Sequence, residues 1–270
     1  MQKRKPTTGV RFFLFMVFLI GIGINVFIVL DAEYMNWFIH NKGMSEEKTQ
    51  QGADNANLSF VETSKQSILV VLPKDCAGQA CGFGTGFVIK PGYVATNAHV
   101  VTCGERCEDI SLKDYRGRNH SAKIEAIASS YGKAEDLAIL KIDDTSIPPL
   151  KLADSSQYEV QHDGDEVITI GYPLVGHVSS LDKASVSGKG SLSTYKVDES
   201  IFVTSGMNIN AGNSGGPVFL IKSEEVLGIA TSVVRGKIFP GNAPVEGVDY
   251  VIPINRLKNY FRERIGQDIY

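Results

Sequence analysis

From residue 67 to residue 252 the chain is a succession of short apolar runs, each closed by Gly, Pro, Asn or Asp, and this pattern limits its fold more than any other feature. The runs expected as strands are Ser67 to Leu72, Phe87 to Ile89, Tyr93 to Thr96, Ile110 to Leu112, Ala122 to Ala128 and Leu137 to Ile142. They continue with Glu166 to Ile170, Ala184 to Ser187, Ile201 to Thr204, Pro217 to Ile221, Val226 to Ser232 and Val248 to Ile252. No helical pattern of about 10 to 15 residues alternates with them, which argues against a parallel α/β sheet and for an all-β fold. Only the last segment, Ile254 to Ile265, has helical spacing, with Leu257, Tyr260, Phe261 and Ile265 following Asn255 as the expected N-cap. Residues 59–67 enter this domain as a short helix or strand. With 43% apolar residues, 270 residues suffice for one large core or two halves of one domain.

The N-terminal part has a different composition. Lys3, Arg4, Lys5 and Arg11 form a basic segment, residues 1–11, before an apolar run from Phe12 to Leu30. Nineteen residues at 1.5 Å rise come close to the roughly 30 Å of a bilayer's hydrocarbon, so 12–30 is expected to be an uncleaved transmembrane helix. A cleaved signal peptide would carry a shorter apolar core and a small-residue cleavage site, which Val29-Leu30-Asp31-Ala32 matches poorly. The basic flank belongs in the cytoplasm, which puts the rest of the chain on the extracytoplasmic side. Residues 31–58 turn polar and read as a linker to a domain at 59–270. Net charge is −3 and no basic run occurs beyond the first residues, so no nucleic-acid partner is indicated.

Three segments carry chemistry. In Asn210-Ala211-Gly212-Asn213-Ser214-Gly215-Gly216-Pro217 a serine sits among glycines that permit a tight turn and close approach of a substrate to the backbone. Alone, this would be a hairpin turn. Thr96-Asn97-Ala98-His99 places a histidine after a strand, and Glu135-Asp136-Leu137 places a carboxylate at the mouth of another. A lone histidine or aspartate is most often structural, but together they supply base, orienting carboxylate and nucleophile in the chain order His, Asp, Ser, one of the orders in which such triads occur.

At these residues the chain resembles the trypsin-like serine proteases of the HtrA/Deg family. The resemblance extends to Gly84-Thr85-Gly86-Phe87, Asp136-Leu137-Ala138-Ile139-Leu140-Lys141, Gly164-Asp165 through Ile170-Gly171-Tyr172-Pro173, and Val251-Ile252-Pro253-Ile254-Asn255. It implies two six-stranded antiparallel β-barrels with the active site in the cleft between them. It also implies Ser214 as nucleophile, His99 as general base and Asp136 as the group fixing the imidazole. The N–H groups of Gly212 and Ser214 would form an oxyanion hole, with a polypeptide as substrate and no metal or other cofactor. Residues Asn208, Ile209, Ala230, Thr231 and Ser232 would line the substrate's P1 pocket. No carboxylate lies among them, so a small or medium aliphatic P1 residue is expected. Relatives often form trimers, and a homo-oligomer is the corresponding expectation here. The chain departs from the family pattern in having Ala211 where many members have Pro, and in showing no PDZ domain. The competing reading is a catalytically silent protein of the same fold that binds polypeptides or scaffolds a membrane complex.

Cys76, Cys81, Cys103 and Cys107 flank the His99 segment. Outside the cytoplasm disulfides are the default, with three possible connectivities, and a four-thiolate zinc site is the alternative. His40, His120, His162 and His177 lie in polar contexts and read as surface residues.

Overall fold

The computed structural model describes residues 12–18, 25–31, 59–74, 78, 82–102, 110–128, 136–154, 164–173, 184–196, 201–207, 209–233 and 248–269. The chain divides into two compact units, Met1–Leu58 and Ser59–Tyr270.

In the first unit the described parts of the expected transmembrane helix, residues 12–18 and 25–31, are strands instead. Strands β1 (Phe12–Phe18) and β2 (Asn25–Asp31) pair antiparallel, with Phe12 opposite Asp31 and Phe18 opposite Asn25. Both are rich in Phe, Val and Ile, which favour the extended chain, and the sequence between them carries Gly21 and Gly23, poor helix formers. Among the described residues no helix is long and apolar enough to cross a membrane.

The second unit holds two closed six-stranded barrels. Helix α1 (residues 59–65) leads into β3 (Ile68–Pro73), β4 (Gly84–Lys90) and β5 (Tyr93–Thr96). A single helical turn, α2 (Ala98–Val101), separates these from β6 (Ile110–Lys113), β7 (Asn119–Ile127) and β8 (Ala138–Ile142). This barrel closes in the order β3-β4-β5-β8-β7-β6. The other barrel comprises β9 (Glu166–Gly171), β10 (Ser185–Lys196), β11 (Ile201–Ser205), β12 (Pro217–Leu220), β13 (Glu225–Val233) and β14 (Val248–Pro253). It closes as β10-β11-β14-β13-β12-β9. Helix α3 (Ile254–Ile265) follows and is closed by Gly266, whose φ of 73° lets its N–H reach Arg262 O. Its N-cap position is Pro253 rather than Asn255, and no side chain caps it.

The strands read as continuous apolar runs because both of their faces are buried. Leu69, Val71, Val88, Val94, Ala138 and Leu140 fill the first barrel, while Val167, Val218, Leu220, Leu227 and Val251 fill the second. The alternate residues Ile68, Val70, Phe87, Ile89 and Ile139 of the first barrel meet Ile168, Ile170, Phe219, Ile229 and Ile252 of the second in one shared core. Two aromatic pairs cross it in opposite senses. Phe60 of α1 packs edge-on against Phe219, ring centroids 5.0 Å apart, and Phe261 of α3 packs against Tyr93 at 5.1 Å.

The histidines call for one correction. His120 is not a surface residue: its ring is 10% exposed, with Nε2 3.1 Å from Asp114 and Nδ1 3.7 Å from Asp144. His40, His162, His177 and all four cysteines lie outside the described residues, so the disulfide expectation and its zinc alternative do as well.

Candidate active site

Strand register brings the distant segments together. β5 ends at Thr96, paired with Ala138 at the start of β8, so His99 on α2 and Asp136 ahead of β8 emerge side by side. Asp136 Oδ1 accepts the His99 backbone N–H at 2.9 Å, and Oδ2 lies 2.6 Å from His99 Nδ1. A carboxylate can only accept, so Nδ1 carries a proton, and in the neutral form of the ring it is Nε2 that presents a lone pair. The Asn97 side-chain amide donates to Asp136 O at 2.9 Å, holding the same two segments by a further bond.

The serine loop belongs to the other barrel. Gly215 N–H donates to Ala230 O at 2.8 Å and Ala230 N–H to Gly216 O at 2.9 Å, which lays the loop along β13. There β13 bulges: Ala230 pairs with Val251 and Ser232 with Tyr250, leaving Thr231 as the extra residue. A bulge re-aims its side chain. Thr231 Oγ1 donates to Asp136 Oδ2 at 2.6 Å, and Thr231 O accepts the Ser214 hydroxyl at 3.3 Å. Asp136 and Ser214 therefore converge on one residue. Among the described residues no hydrogen bond joins Ser214 Oγ to the His99 ring, which is 37% exposed.

Thr85 on β4 fastens this loop to the first barrel. Its N–H donates to Ser214 O at 2.9 Å, and its hydroxyl donates to Gly212 O at 2.6 Å while accepting the Tyr172 N–H at 3.1 Å. Thr96 Oγ1 in turn donates to Thr85 O at 2.7 Å. Such close approach needs glycine. At Gly215, φ 85°, a Cβ would collide with Thr85 O and Thr96 Oγ1, and at Gly212, φ 95°, with Tyr172 O. With the loop so fixed, neither the Gly212 nor the Ser214 N–H is taken by a protein acceptor among the described residues.

Asp136 is 14% exposed. Burial alone would raise its carboxyl, but the His99 ring, the Thr231 hydroxyl and the His99 backbone N–H outweigh it and hold the group below its ordinary value.

The residues expected to line the P1 pocket divide differently. Ile209 and Ala230 are buried with the apolar filling of the second barrel, and the Thr231 hydroxyl is turned to Asp136. Asn208 and the Ser232 side chain lie outside what is described. Thr85 was not singled out for a role from the sequence. A threonine between Gly84 and Gly86 in an apolar strand was the available signal.

Two closed six-stranded β-barrels that share a core define a protein of the trypsin-like fold. The family model for the trypsin-like peptidase domain matches residues 84–229. The chain belongs to that family. It is 35% identical over 179 residues to a DegP-like periplasmic serine endoprotease of Pseudomonas putida, covering 66% of this chain and 34% of the relative. To its counterpart in Chlamydia trachomatis it is 33% identical over 171 residues, covering 63% of this chain and 31% of the relative. The chain thus spans about a third of the length of these curated relatives. The crystal structure of a serine endoprotease from Yersinia pestis superposes with a TM-score of 0.61 at 24% identity, covering 78% of this chain and 67% of that one, which shows the shared fold. The matches agree with the HtrA/Deg resemblance of the motifs.

Proposed function

We propose that the chain is a serine endopeptidase acting through an acyl-enzyme on Ser214. The observation that carries this reading is the two-point hold of Asp136 on His99, facing a serine loop that Thr85 and Thr231 fix across the cleft. In the reaction the Ser214 hydroxyl leaves Thr231 O, a long and weak bond at 3.3 Å, and gives its proton to His99 Nε2 as Oγ attacks the peptide carbonyl. The oxyanion is received by the Gly212 and Ser214 N–H groups, each such donor being worth about 3 to 4 kcal/mol. Collapse breaks the C–N bond, and His99 returns the proton to the leaving amine. Water, deprotonated by the same ring, then releases the acyl group. Asp136 keeps Nδ1 protonated throughout and stabilises the imidazolium.

The apolar composition of 12–30 and its basic flank support association with a membrane, and the periplasmic relatives support an extracytoplasmic site of action. The proposed role is envelope protein quality control or regulated proteolysis. A fluorophosphonate probe, applied with and without a polypeptide substrate, should label the wild-type chain and leave Ser214→Ala unlabelled. If no condition labels the wild type, the chain is instead a silent, polypeptide-binding relative.

A further inference from the structure

We propose that the Thr85 hydroxyl is a positioning group for the oxyanion hole, setting from the first barrel the aim of the Gly212 and Ser214 N–H groups, an inference that rests on the serine endopeptidase reading. Thr85 is fully buried in β4, among the apolar residues Phe87, Val88 and Ile89 of the same strand. A hydroxyl removed from water is costly unless it is bonded, and this one has both of its roles filled. Its oxygen accepts the Tyr172 N–H at 3.1 Å, and its single proton goes to Gly212 O at 2.6 Å. An N–H can only donate and a carbonyl can only accept, so the direction of both bonds is fixed.

These bonds hold the frame around the two donors. The Gly212 N–H belongs to the 211–212 peptide and the Ser214 N–H to the 213–214 peptide. Between them lies the 212–213 peptide, bonded at both edges: Asn213 N–H donates to Asn210 O at 3.0 Å, and Gly212 O accepts the Thr85 hydroxyl. The 214–215 peptide is held in the same way, by Gly215 N–H on Ala230 O at 2.8 Å and by Thr85 N–H on Ser214 O at 2.9 Å. A peptide is planar, so one bonded at both edges has little freedom to rotate, and the donor peptides join planes that Thr85 helps to fix. Among the described residues no other side chain bonds the main chain of 212–214. Glycine at 212, φ 95°, offers little steric resistance to rotation of its own, so the bond on its carbonyl supplies the restraint. Thr85 is also tied to the base, since Thr96 Oγ1 donates to Thr85 O at 2.7 Å and Thr96 ends the strand that leads into His99. One buried residue thus sets the oxyanion donors of one barrel against the imidazole of the other.

The test compares the wild-type full chain with Thr85→Val, which keeps the shape and removes the hydroxyl, and Thr85→Ser, which keeps the hydroxyl. Each protein hydrolyses one fluorogenic peptide and is titrated with a peptidyl aldehyde and with the matching peptidyl alcohol. Ser214 adds to the aldehyde and places its oxygen between the two donors, whereas the alcohol fills the same subsites without reacting. Thr85→Val should lose about 30-fold in kcat at unchanged KM, a part of the roughly 100- to 1000-fold that deleting one oxyanion donor costs. Its affinity for the aldehyde should fall by a similar factor and its affinity for the alcohol should not change. Thr85→Ser should regain most of both losses. If the hydroxyl serves stability alone, folded Thr85→Val keeps the wild-type kcat and aldehyde affinity while unfolding at lower urea, which overturns the proposal. Losses shared equally by the alcohol, or not restored by Thr85→Ser, overturn it too. Should circular dichroism show that Thr85→Val does not fold, Thr85→Cys, whose thiol donates only weakly, is held to the same criteria. A wild type that neither cleaves peptide nor takes the fluorophosphonate label overturns instead the endopeptidase reading beneath the proposal.

Discussion

At Thr231 the bulge in β13 leaves one residue without a partner on β14, and its side chain and carbonyl reach Asp136 and Ser214. Thr231→Val keeps the shape and removes the hydroxyl that donates to Asp136 Oδ2. The carboxylate then loses one of the bonds that restrain it, and the imidazole it orients is less well held. A fall of about 10-fold in kcat/KM is expected, roughly the worth of one hydrogen bond to a charged group, with Thr231→Ser restoring most of it. Steady-state hydrolysis of one peptide by the three proteins checks this. The residues proposed here as catalytic stand in local patterns, a serine among glycines and a histidine just past a strand, and were legible as candidates for that reason. Thr231 was not. A bulge depends on the register between β13 and β14, which no local pattern carries, so the bond from Thr231 to Asp136 is not readable from the segment that holds it.

The turn between β6 and β7 is organised by one carboxylate. Asp114, 4% exposed, accepts the backbone N–H groups of Arg116 and Arg118, Arg118 Nε at 2.7 Å and His120 Nε2 at 3.1 Å. Burial pushes its carboxyl up, but these donors outweigh it and hold it below the ordinary value of 3.8. A depressed folded value means that the unfolded chain binds the proton more readily. The stabilisation is thus complete above the unfolded pKa and is lost as pH falls through the folded one. Asp114→Ala should cost about 2 to 3 kcal/mol at neutral pH. The gap to wild type should narrow once pH drops below 3.8, as read from urea unfolding at several pH values. The elements were unevenly legible. β10 runs from Ser185 to Lys196, well past the expected Ala184 to Ser187, because its second half is small and polar. Gly188 and Gly190 there leave room for the backbone at Met207 and Ser205, with which a Cβ at either would collide. A strand chosen for close approach lacks the β-branched residues that mark a strand in sequence. β1 and β2 failed for the opposite reason, since a continuous apolar run fits a helix and a strand pair equally well by composition.

For the Ser59–Tyr270 unit the decisive feature is that each barrel has its own filling while a third apolar cluster belongs to both. Neither barrel can cover Phe87, Ile139, Phe219 or Ile229 without the other, so the cleft that carries the site is no flexible hinge between separate domains. The terminal helices tighten the arrangement, since α1 precedes the first barrel yet packs on the second, and α3 follows the second yet packs on the first. Phe261, fully buried in the shared cluster and edge-on to Tyr93, is the residue that tests this coupling. Phe261→Ala should destabilise the unit by about 3 to 5 kcal/mol, the range for truncating a buried phenylalanine. Because the lost core serves both barrels, unfolding followed by circular dichroism should remain a single transition at lower urea, with fluorophosphonate labelling of Ser214 disappearing over the same interval. Two resolved transitions, with labelling tied to only one, would mean that the barrels fold independently and that the cleft is held by the loop bonds around Thr85 alone.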